Sequence, residues 1–100
     1  MIRHNKARQV FRFRDVWDDI TVEMVIWALP KATADRPHGL KYRLYCGKDG
    51  RCVVRYDNET GKGDHRHYGR RQEAYEFESI EKLIADFRTD CERLTGWVWE

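Results

Sequence analysis

Residues 40–57 read LKYRLYCGKDGRCVVRYD, and this stretch decides the fold. Apolar and polar side chains alternate on both sides of the segment 48–50, Lys-Asp-Gly. Such alternation around a glycine-containing turn is typical of two antiparallel strands. The stretch therefore predicts a β-hairpin with strands over Leu40–Cys46 and Cys52–Asp57.

The register of this hairpin depends on the length of its loop. A three-residue loop at 48–50, with glycine in the left-handed position, sorts the side chains onto two faces. A two-residue Asp-Gly turn would mix them, so the longer loop is predicted. The opposite pairs would be Cys46/Cys52, Leu44/Val54 and Tyr42/Tyr56 on one face, and Tyr45/Val53, Arg43/Arg55 and Lys41/Asp57 on the other. The neighbouring charges of Arg43 and Arg55 are then either bridged by an anion or turned apart into solvent.

Three more strands are predicted. Val10–Arg14 alternates phenylalanine with arginine, and Ile20–Leu29 is rich in β-branched and aromatic residues. The second of these has apolar residues on both faces toward its end, which favours an interior position. After the hairpin, Glu73–Glu78 alternates Tyr75 and Phe77 with acids and predicts a last short strand.

A helix over residues 79–95 is predicted after the strands. Ser79 is a good N-cap and Gly96 a good stop, and apolar residues recur between them at helical spacing. The sequence thus predicts an α+β fold: a mostly antiparallel sheet of four or five strands, in hairpins or a meander, with one C-terminal helix packed on a face. Residues 1–100 form a single domain in this prediction, and residues 1–9 form a flexible basic arm.

Charge is unevenly distributed along the chain. The net charge is only +2, although 36% of residues are charged. Residues 1–14 carry five bases and no acid, whereas residues 78–100 carry six acids and three bases. This pattern predicts two surfaces with different partners, and the acidic helix with the tryptophan tail is the segment expected to dock a protein partner. Trp97 and Trp99 are expected to pack either on the sheet of their own chain or on another chain.

Cysteine usage and hydropathy point to the cytoplasm. Cys46, Cys52 and Cys91 leave one thiol unpaired in any intramolecular scheme, and none forms a C-x-x-C pair. No long apolar run predicts a membrane span, and no signal-peptide core follows the basic start. A reduced, cytoplasmic protein is expected.

The chemistry is concentrated in residues 55–69, which read RYDNETGKGDHRHYG. Gly61 and Gly63 flank a lysine, and a carboxylate, two histidines and an arginine follow in residues 64–67. Glycines allow tight bends, histidine exchanges protons near neutral pH, and lysine and arginine attract phosphate. This composition suits proton transfer on an anionic substrate.

The same stretch carries a resemblance to a known family. Residues 55–67, together with Tyr75, Phe77, Asp86 and Phe87, resemble the TumE toxins of bacterial toxin–antitoxin systems, over roughly residues 20–95. Gln72 stands where the family pattern leads us to expect an acid. The resemblance implies a small cytoplasmic toxin inhibited by a cognate antitoxin, which often carries a helix-turn-helix domain. A homodimer is compatible with it.

The leading hypothesis is a metal-independent endoribonuclease, similar to an mRNA interferase, that acts on cellular RNA without a cofactor. RNA supplies its own 2′-OH nucleophile, so the protein must supply a base, an acid and cations. His65 and His67 are the predicted base and acid, with Asp64 or Tyr56 replacing one of them if the pair is split. The predicted phosphate and RNA contacts are Arg43, Arg55, Lys62, Arg66 and Arg70.

Two alternatives are open. Asp64, His65 and His67, with Asp57 as a further candidate, are ligand types that bind Zn²⁺ or Mn²⁺, which would give a metal-dependent nuclease. Alternatively, the chain is a non-catalytic module that binds RNA or the ribosome through its arginines and lysine.

Overall fold

The computed structural model describes residues 6–99 and has an α+β fold of six antiparallel strands and one helix. Neighbours in the chain are neighbours in the sheet, so the strands form a meander. The predicted class is confirmed, with six strands instead of four or five. The elements are β1 (Arg8–Trp17), β2 (Ile20–Ala28), β3 (Leu40–Lys48), β4 (Arg51–Asp57), β5 (His65–Tyr68), β6 (Arg71–Ala74) and α1 (Ile80–Thr95).

The extra strand, His65–Tyr68, lies in the glycine-containing segment after Asp57, for which the sequence predicts no strand. Between β4 and Tyr68 only residues 58–64 lie outside the sheet, because His65–Tyr68 pairs with the end of β4. Gly69, at a φ of 60°, then opens a two-residue turn that pairs Tyr68 with Arg71. The last strand is therefore Arg71–Ala74 and not the predicted 73–78, and Tyr75 and Phe77 pack on the core from an irregular segment.

The first strand is longer than predicted at both ends. It begins at Arg8, so the last two residues of the predicted 1–9 arm lie in the sheet, while residues 1–5 lie outside the described part of the chain. It continues through Trp17 to a two-residue turn in which Asp18 has a φ of 57°. An aspartate tolerates this left-handed conformation better than most residues.

The predicted register of the central hairpin is wrong, and a bulge explains why. Asp49 and Gly50 both have positive φ and form a two-residue turn that pairs Lys48 with Arg51. Val53 is then an extra residue, and pairing resumes at Cys46 with Val54. The bulge keeps the two faces sorted despite the short turn. Arg43 therefore lies opposite Asp57 and Arg55 opposite Tyr45, and the two arginines are not a pair; Cys52 lies opposite Gly47.

The core lies between the sheet and α1, mainly over β2, β3 and β4. Ser79 caps the helix by accepting the Lys82 amide, and Gly96 ends it at a φ of 79°, so both predicted caps are confirmed. Leu83, Phe87 and Cys91 are fully buried on the helix. The three cysteines are free thiols. Within residues 6–99 no helix has the length and apolar character that crossing a membrane requires.

The tryptophan tail packs on its own sheet. Trp97 is 1% exposed, lies edge-on to Phe13 at 6.0 Å, and donates its indole N–H to Asp15 at 2.8 Å. Trp99 covers Phe13 at 4.6 Å between ring centroids. The tail thus covers the part of the core next to β1. This packing accounts for its aromatic composition without a partner protein.

Candidate functional site

The face of the sheet turned away from α1, here called the open face, carries the chemically active side chains. Asp57 lies opposite His65 across β4 and β5, and Arg55 lies opposite His67. Residues two apart on a strand share a face, so all four point the same way. On β2 to β5 the open face includes Thr21, Glu23, Val25, Trp27, Lys41, Arg43, Tyr45, Arg55, Asp57, His65 and His67.

Three of these residues converge, and we call them the Asp57–His65–His67 cluster. One potential ligand atom from each lies within 4.8 Å of the other two. Asp57 Oδ1 is 2.6 Å from His65 Nε2 and 3.6 Å from His67 Nε2. The side chains of Asp57 and His65 are about 95% buried, and that of His67 is 16% exposed. The carboxylate and the two imidazoles of the cluster therefore have little contact with water.

The two short contacts in the cluster do not satisfy its polar atoms. Asp57 Oδ1 and His67 Nε2 are buried without a hydrogen-bond partner among the described residues. At 2.6 Å the His65 nitrogen is close enough to Oδ1, but the oxygen lies off the direction in which a ring N–H would point. Buried polar atoms without partners are uncommon, and those in native structures often mark an ion or a reactive site.

The outer contacts of the cluster define its electrostatics. His65 Nδ1 lies 3.0 Å from the Gly63 carbonyl, which can only accept, so Nδ1 is the protonated nitrogen. Arg55 Nε donates to the second oxygen of Asp57 at 2.7 Å. Burial of the ring, followed by the Arg55 charge, lowers the pKa of His67. His67 is thus a neutral imidazole at pH 7 with a nitrogen able to accept a proton or a metal.

A cleft of about 510 Å³ leads along the open face to Asp57. Trp27 offers an aromatic surface in it, and Lys41 and Arg43 offer positive charge. Arg43 also stacks on the Tyr45 ring at 5.1 Å. The cleft is lined by Val25, Trp27, Lys41, Tyr42, Arg43, Asp57, Glu59 and Thr60. Its walls match the needs of a flexible anionic ligand that carries aromatic bases.

Asp64, one of the predicted catalytic residues, belongs to a separate structural network. It accepts hydrogen bonds from the Tyr42 hydroxyl at 2.7 Å, from His38 Nε2 at 3.0 Å and from the Asn58 amide at 3.3 Å. The Leu40 amide donates to His38 Nδ1, so the His38 ring is a neutral donor fixed between backbone and carboxylate. These contacts hold the 58–64 loop to β3 and leave Asp64 no free role at the cluster.

Tyr56 and Arg66 point to the helix side of the sheet, away from the cluster. The Tyr56 side chain is fully buried, and its hydroxyl donates to Asp90 at 2.5 Å. Arg66 pairs with Glu73 at 2.7 Å and donates to the Tyr56 oxygen at 3.2 Å. Strand alternation separates Arg66 from the two flanking histidines, so this predicted phosphate contact lies on the helix side of the sheet.

The remaining predicted cations are dispersed. Lys62 is exposed in the 58–64 loop, 3.6 Å from Glu59. Arg70 lies in the β5–β6 turn, at the opposite end of β5 from His65. Of the predicted phosphate contacts, Arg43 and Arg55 are on the open face. The structure thus brings together His65, His67, Arg43 and Arg55, and separates Asp64, Tyr56, Lys62, Arg66 and Arg70 from them.

The similarity to known proteins is carried by one family. A family model described as Toxin TumE matches residues 3–95. The chain belongs to the TumE toxin family. Neither curated proteins nor solved structures give a match. The match covers most of the chain and starts well before residue 20. The TumE domain therefore includes the N-terminal strand, whereas the resemblance seen in the sequence begins only at about residue 20.

Sequence reasoning missed the central residue of this TumE cluster and two residues beside it. Asp57 was only an additional metal candidate, and Lys41 and Trp27 were not singled out. The signal for Asp57 was present, because a strand that returns after the 58–64 loop places His65 directly opposite it. Lys41 and Trp27 lie opposite each other on β3 and β2, a pairing that requires the sheet order to be known.

Proposed function

We propose that this TumE toxin is the toxic component of a type II toxin–antitoxin pair and acts in the cytoplasm as an endoribonuclease on cellular RNA. Family membership supports the toxin role. The Asp57–His65–His67 cluster beside the arginines of the open face is the observation that carries the ribonuclease assignment. The natural partners under this proposal are RNA and a cognate antitoxin with a helix-turn-helix domain.

The reaction assigned to the site is transphosphorylation within the RNA strand. The 2′ oxygen forms a bond to phosphorus while the bond from phosphorus to the 5′ oxygen breaks. The 2′ proton passes to a base, and the departing 5′ oxygen takes a proton from an acid or from water. Arg43 and Arg55 lie where they can stabilise the added negative charge on the phosphate.

The metal-independent form of this mechanism requires His65 and His67 to face the substrate as base and acid. Their rings are 4.7 Å apart between centroids, so they are close enough to share one phosphate. However, the Nε2 atoms of both rings are near Asp57 Oδ1, and His65 Nδ1 is held by Gly63. The geometry therefore supports action by the cluster as a unit better than separate proton transfers by two free rings.

The cleft supports RNA as the substrate class. Lys41 and Arg43 flank the path to Asp57, and Trp27 lies beside them on the next strand. Splayed single-stranded bases stack on aromatic side chains while their phosphates contact cations, which is the usual mode of sequence-tolerant RNA binding. A non-catalytic RNA-binding module would share this cleft but would not need the buried cluster.

The test is cleavage of end-labelled RNA by the purified chain, with divalent metal supplied. His67→Ala should abolish product while RNA binding, followed by a gel shift, stays within about threefold of wild type. Lys82→Ala, an exposed change on the far side of the molecule, should leave both unchanged. RNA binding without any cleavage by the wild-type chain would replace the ribonuclease with a binding module. Cleavage that survives His67→Ala would move the active site elsewhere.

A further inference from the structure

We propose that the Asp57–His65–His67 cluster is a binding site for one divalent transition-metal ion, of the class of Zn²⁺ or Mn²⁺. Two imidazoles and one carboxylate supply the ligand atoms His65 Nε2, His67 Nε2 and Asp57 Oδ1. All three come from paired strands, which fixes their spacing before any ion arrives. The sequence predicts Asp64, His65 and His67 as ligands, with Asp57 as a further candidate, but the Asp64 carboxylate is bonded to His38, Tyr42 and Asn58.

The hydrogen bond of His65 Nδ1 is the first argument for a cation. Its Nδ1 carries the proton that is donated to the Gly63 carbonyl. The tautomer with the proton on Nδ1 has its lone pair on Nε2, which lies 2.6 Å from a carboxylate oxygen that also carries lone pairs. Two acceptors at this distance repel each other unless a positive charge lies between them. A metal ion at the cluster removes the repulsion and uses both lone pairs.

The unpartnered atoms are the second argument. Asp57 is 3% exposed, and its Oδ1 lacks a hydrogen bond within the described chain, as does the buried Nε2 of His67. The two atoms are 3.6 Å apart, and both lie within 4.8 Å of the ligand nitrogen of His65. A carboxylate oxygen buried without compensation is costly. The ion satisfies both atoms with one ligand.

The outer contacts match those of known metal sites. Metal-bound histidine usually donates its second N–H to a carbonyl or carboxylate, as His65 does to Gly63. Metal-bound carboxylates are usually held by a further hydrogen bond, as Asp57 is by Arg55. The contrast with His38 is informative, because both of its nitrogens are already engaged by Leu40 and Asp64.

Ligand type selects the ion. Imidazole favours Zn²⁺ and neighbouring transition metals, whereas Mg²⁺ prefers an all-oxygen shell and several waters. Bonds of about 2.0–2.1 Å at tetrahedral angles separate ligand atoms by roughly 3.3 Å. The distance from His67 Nε2 to Asp57 Oδ1 is close to this value, and His65 must withdraw by less than an ångström. Three protein ligands leave the fourth position open, as in catalytic sites.

The role of this ion rests on the proposed function, although its binding does not. An ion at the cluster would lie at the Asp57 end of the cleft. A phosphate held by Arg43 would there reach the open coordination position of the ion. There it would polarise a phosphoryl oxygen and lower the pKa of a bound water.

Binding is tested by calorimetric titration of the full chain, freed of metal with a chelator, with Zn²⁺, Mn²⁺ and Mg²⁺ salts in turn. We expect one Zn²⁺ or Mn²⁺ per chain, a higher melting temperature when it is bound, and at least a 100-fold weaker response to Mg²⁺. Titration with Co²⁺ should give visible absorption bands of a site with nitrogen and oxygen ligands. Absence of binding by Zn²⁺, Mn²⁺ and Co²⁺ at millimolar concentration would overturn the site.

Variants locate the ion. Asp57→Asn and His67→Gln should each weaken Zn²⁺ binding at least 100-fold, whereas His38→Gln removes a histidine of the neighbouring network and should keep wild-type affinity. Circular dichroism checks that each variant is folded. If a variant is unfolded, the Co²⁺ spectrum of the wild-type chain decides the ligand type. Unchanged affinity in both cluster variants would overturn the assignment. RNA cleavage in EDTA by a chain that binds no metal would overturn the site but keep the ribonuclease, and metal binding without RNA cleavage would do the reverse.

Discussion

At the residue scale, Asp57 and Asp64 show how the same residue type takes two different roles in one chain. Each lies close to the nitrogens of histidine, and each is largely buried. Asp64 receives hydrogen bonds from three donors, so its charge is compensated. Asp57 receives one from Arg55 and leaves an oxygen open toward two imidazoles. Satisfaction of lone pairs, and not residue type, separates the scaffold from the site.

Replacing Asp64 should therefore affect stability and not the cluster. An asparagine lacks the negative charge, and its NH₂ group would replace the second oxygen, which His38 Nε2 contacts at 3.1 Å, so Asp64→Asn should lower the free energy of unfolding by about 1–3 kcal/mol. Urea denaturation measures the loss, and Zn²⁺ titration of the same preparation should give wild-type affinity. A folded Asp64→Asn chain that no longer binds Zn²⁺ would show that the two networks are one.

Asp90 is a second buried carboxylate, and it links the helix to the sheet. The hydroxyls of Tyr56 and Tyr68 each donate to it at 2.5 Å, and Arg93 donates at 2.9 Å. Burial opposes its ionisation, but these three donors outweigh burial and lower the pKa of Asp90. A lowered pKa means that the folded chain holds the charged form more readily than the unfolded chain.

The stability contributed by Asp90 is thus present above its unfolded pKa of about 3.9 and is lost as pH falls through the lower folded value. Asp90→Asn should cost about 1–3 kcal/mol at pH 7, because the amide cannot accept from all its partners. It should also flatten the acid limb of a plot of unfolding free energy against pH. Asp86→Asn, at a more exposed helix carboxylate bonded to Tyr75, is the matched control and should cost less. Equal pH profiles for Asp90→Asn and wild type would contradict this assignment.

At the scale of the element, local signals and long-range pairing were not equally readable from the sequence. The helix could be predicted nearly to the residue, because Ser79 and Gly96 act on their own backbone neighbours. The position of the hairpin could be predicted but its register could not, because the alternation pattern does not show the bulge at Val53. The same limit hid the cluster, because Asp57 meets His65 only through pairing across the 58–64 loop.

The short hairpin turn makes a direct prediction. Gly50 has a φ of 75°, and a Cβ added there would meet no atom within 4 Å, so the cost of a side chain comes from the backbone alone. Gly50→Ala should lower the free energy of unfolding by about 1–2 kcal/mol. Gly50→Asn should recover part of it, since asparagine tolerates the left-handed region. Urea denaturation of both variants decides, and equal losses would indicate a turn other than the one seen here.

At the scale of the whole molecule, the meander separates two surfaces. One side of the sheet is covered by α1, and the other is the open face, which carries Lys41, Arg43 and Arg55. Arg12 and Arg14 of β1 extend the positive side, because they pair with Val25 and Glu23 of the open side of β2. The proposed function places RNA on the open face, because these cations lie there.

This separation predicts how salt should act on RNA binding. Each cation that contacts a phosphate of single-stranded RNA contributes about 0.7 to the slope of log affinity against log salt. Lys41→Ala and Arg43→Ala should each reduce that slope by about this amount, in a filter-binding series from low to high salt. Lys82→Ala removes the same charge from the helix side, where it pairs with Asp86 at 2.7 Å, and should leave the slope unchanged. A slope that responds to Lys82 and not to Arg43 would place RNA on the helix side, and the cluster would then face away from its substrate.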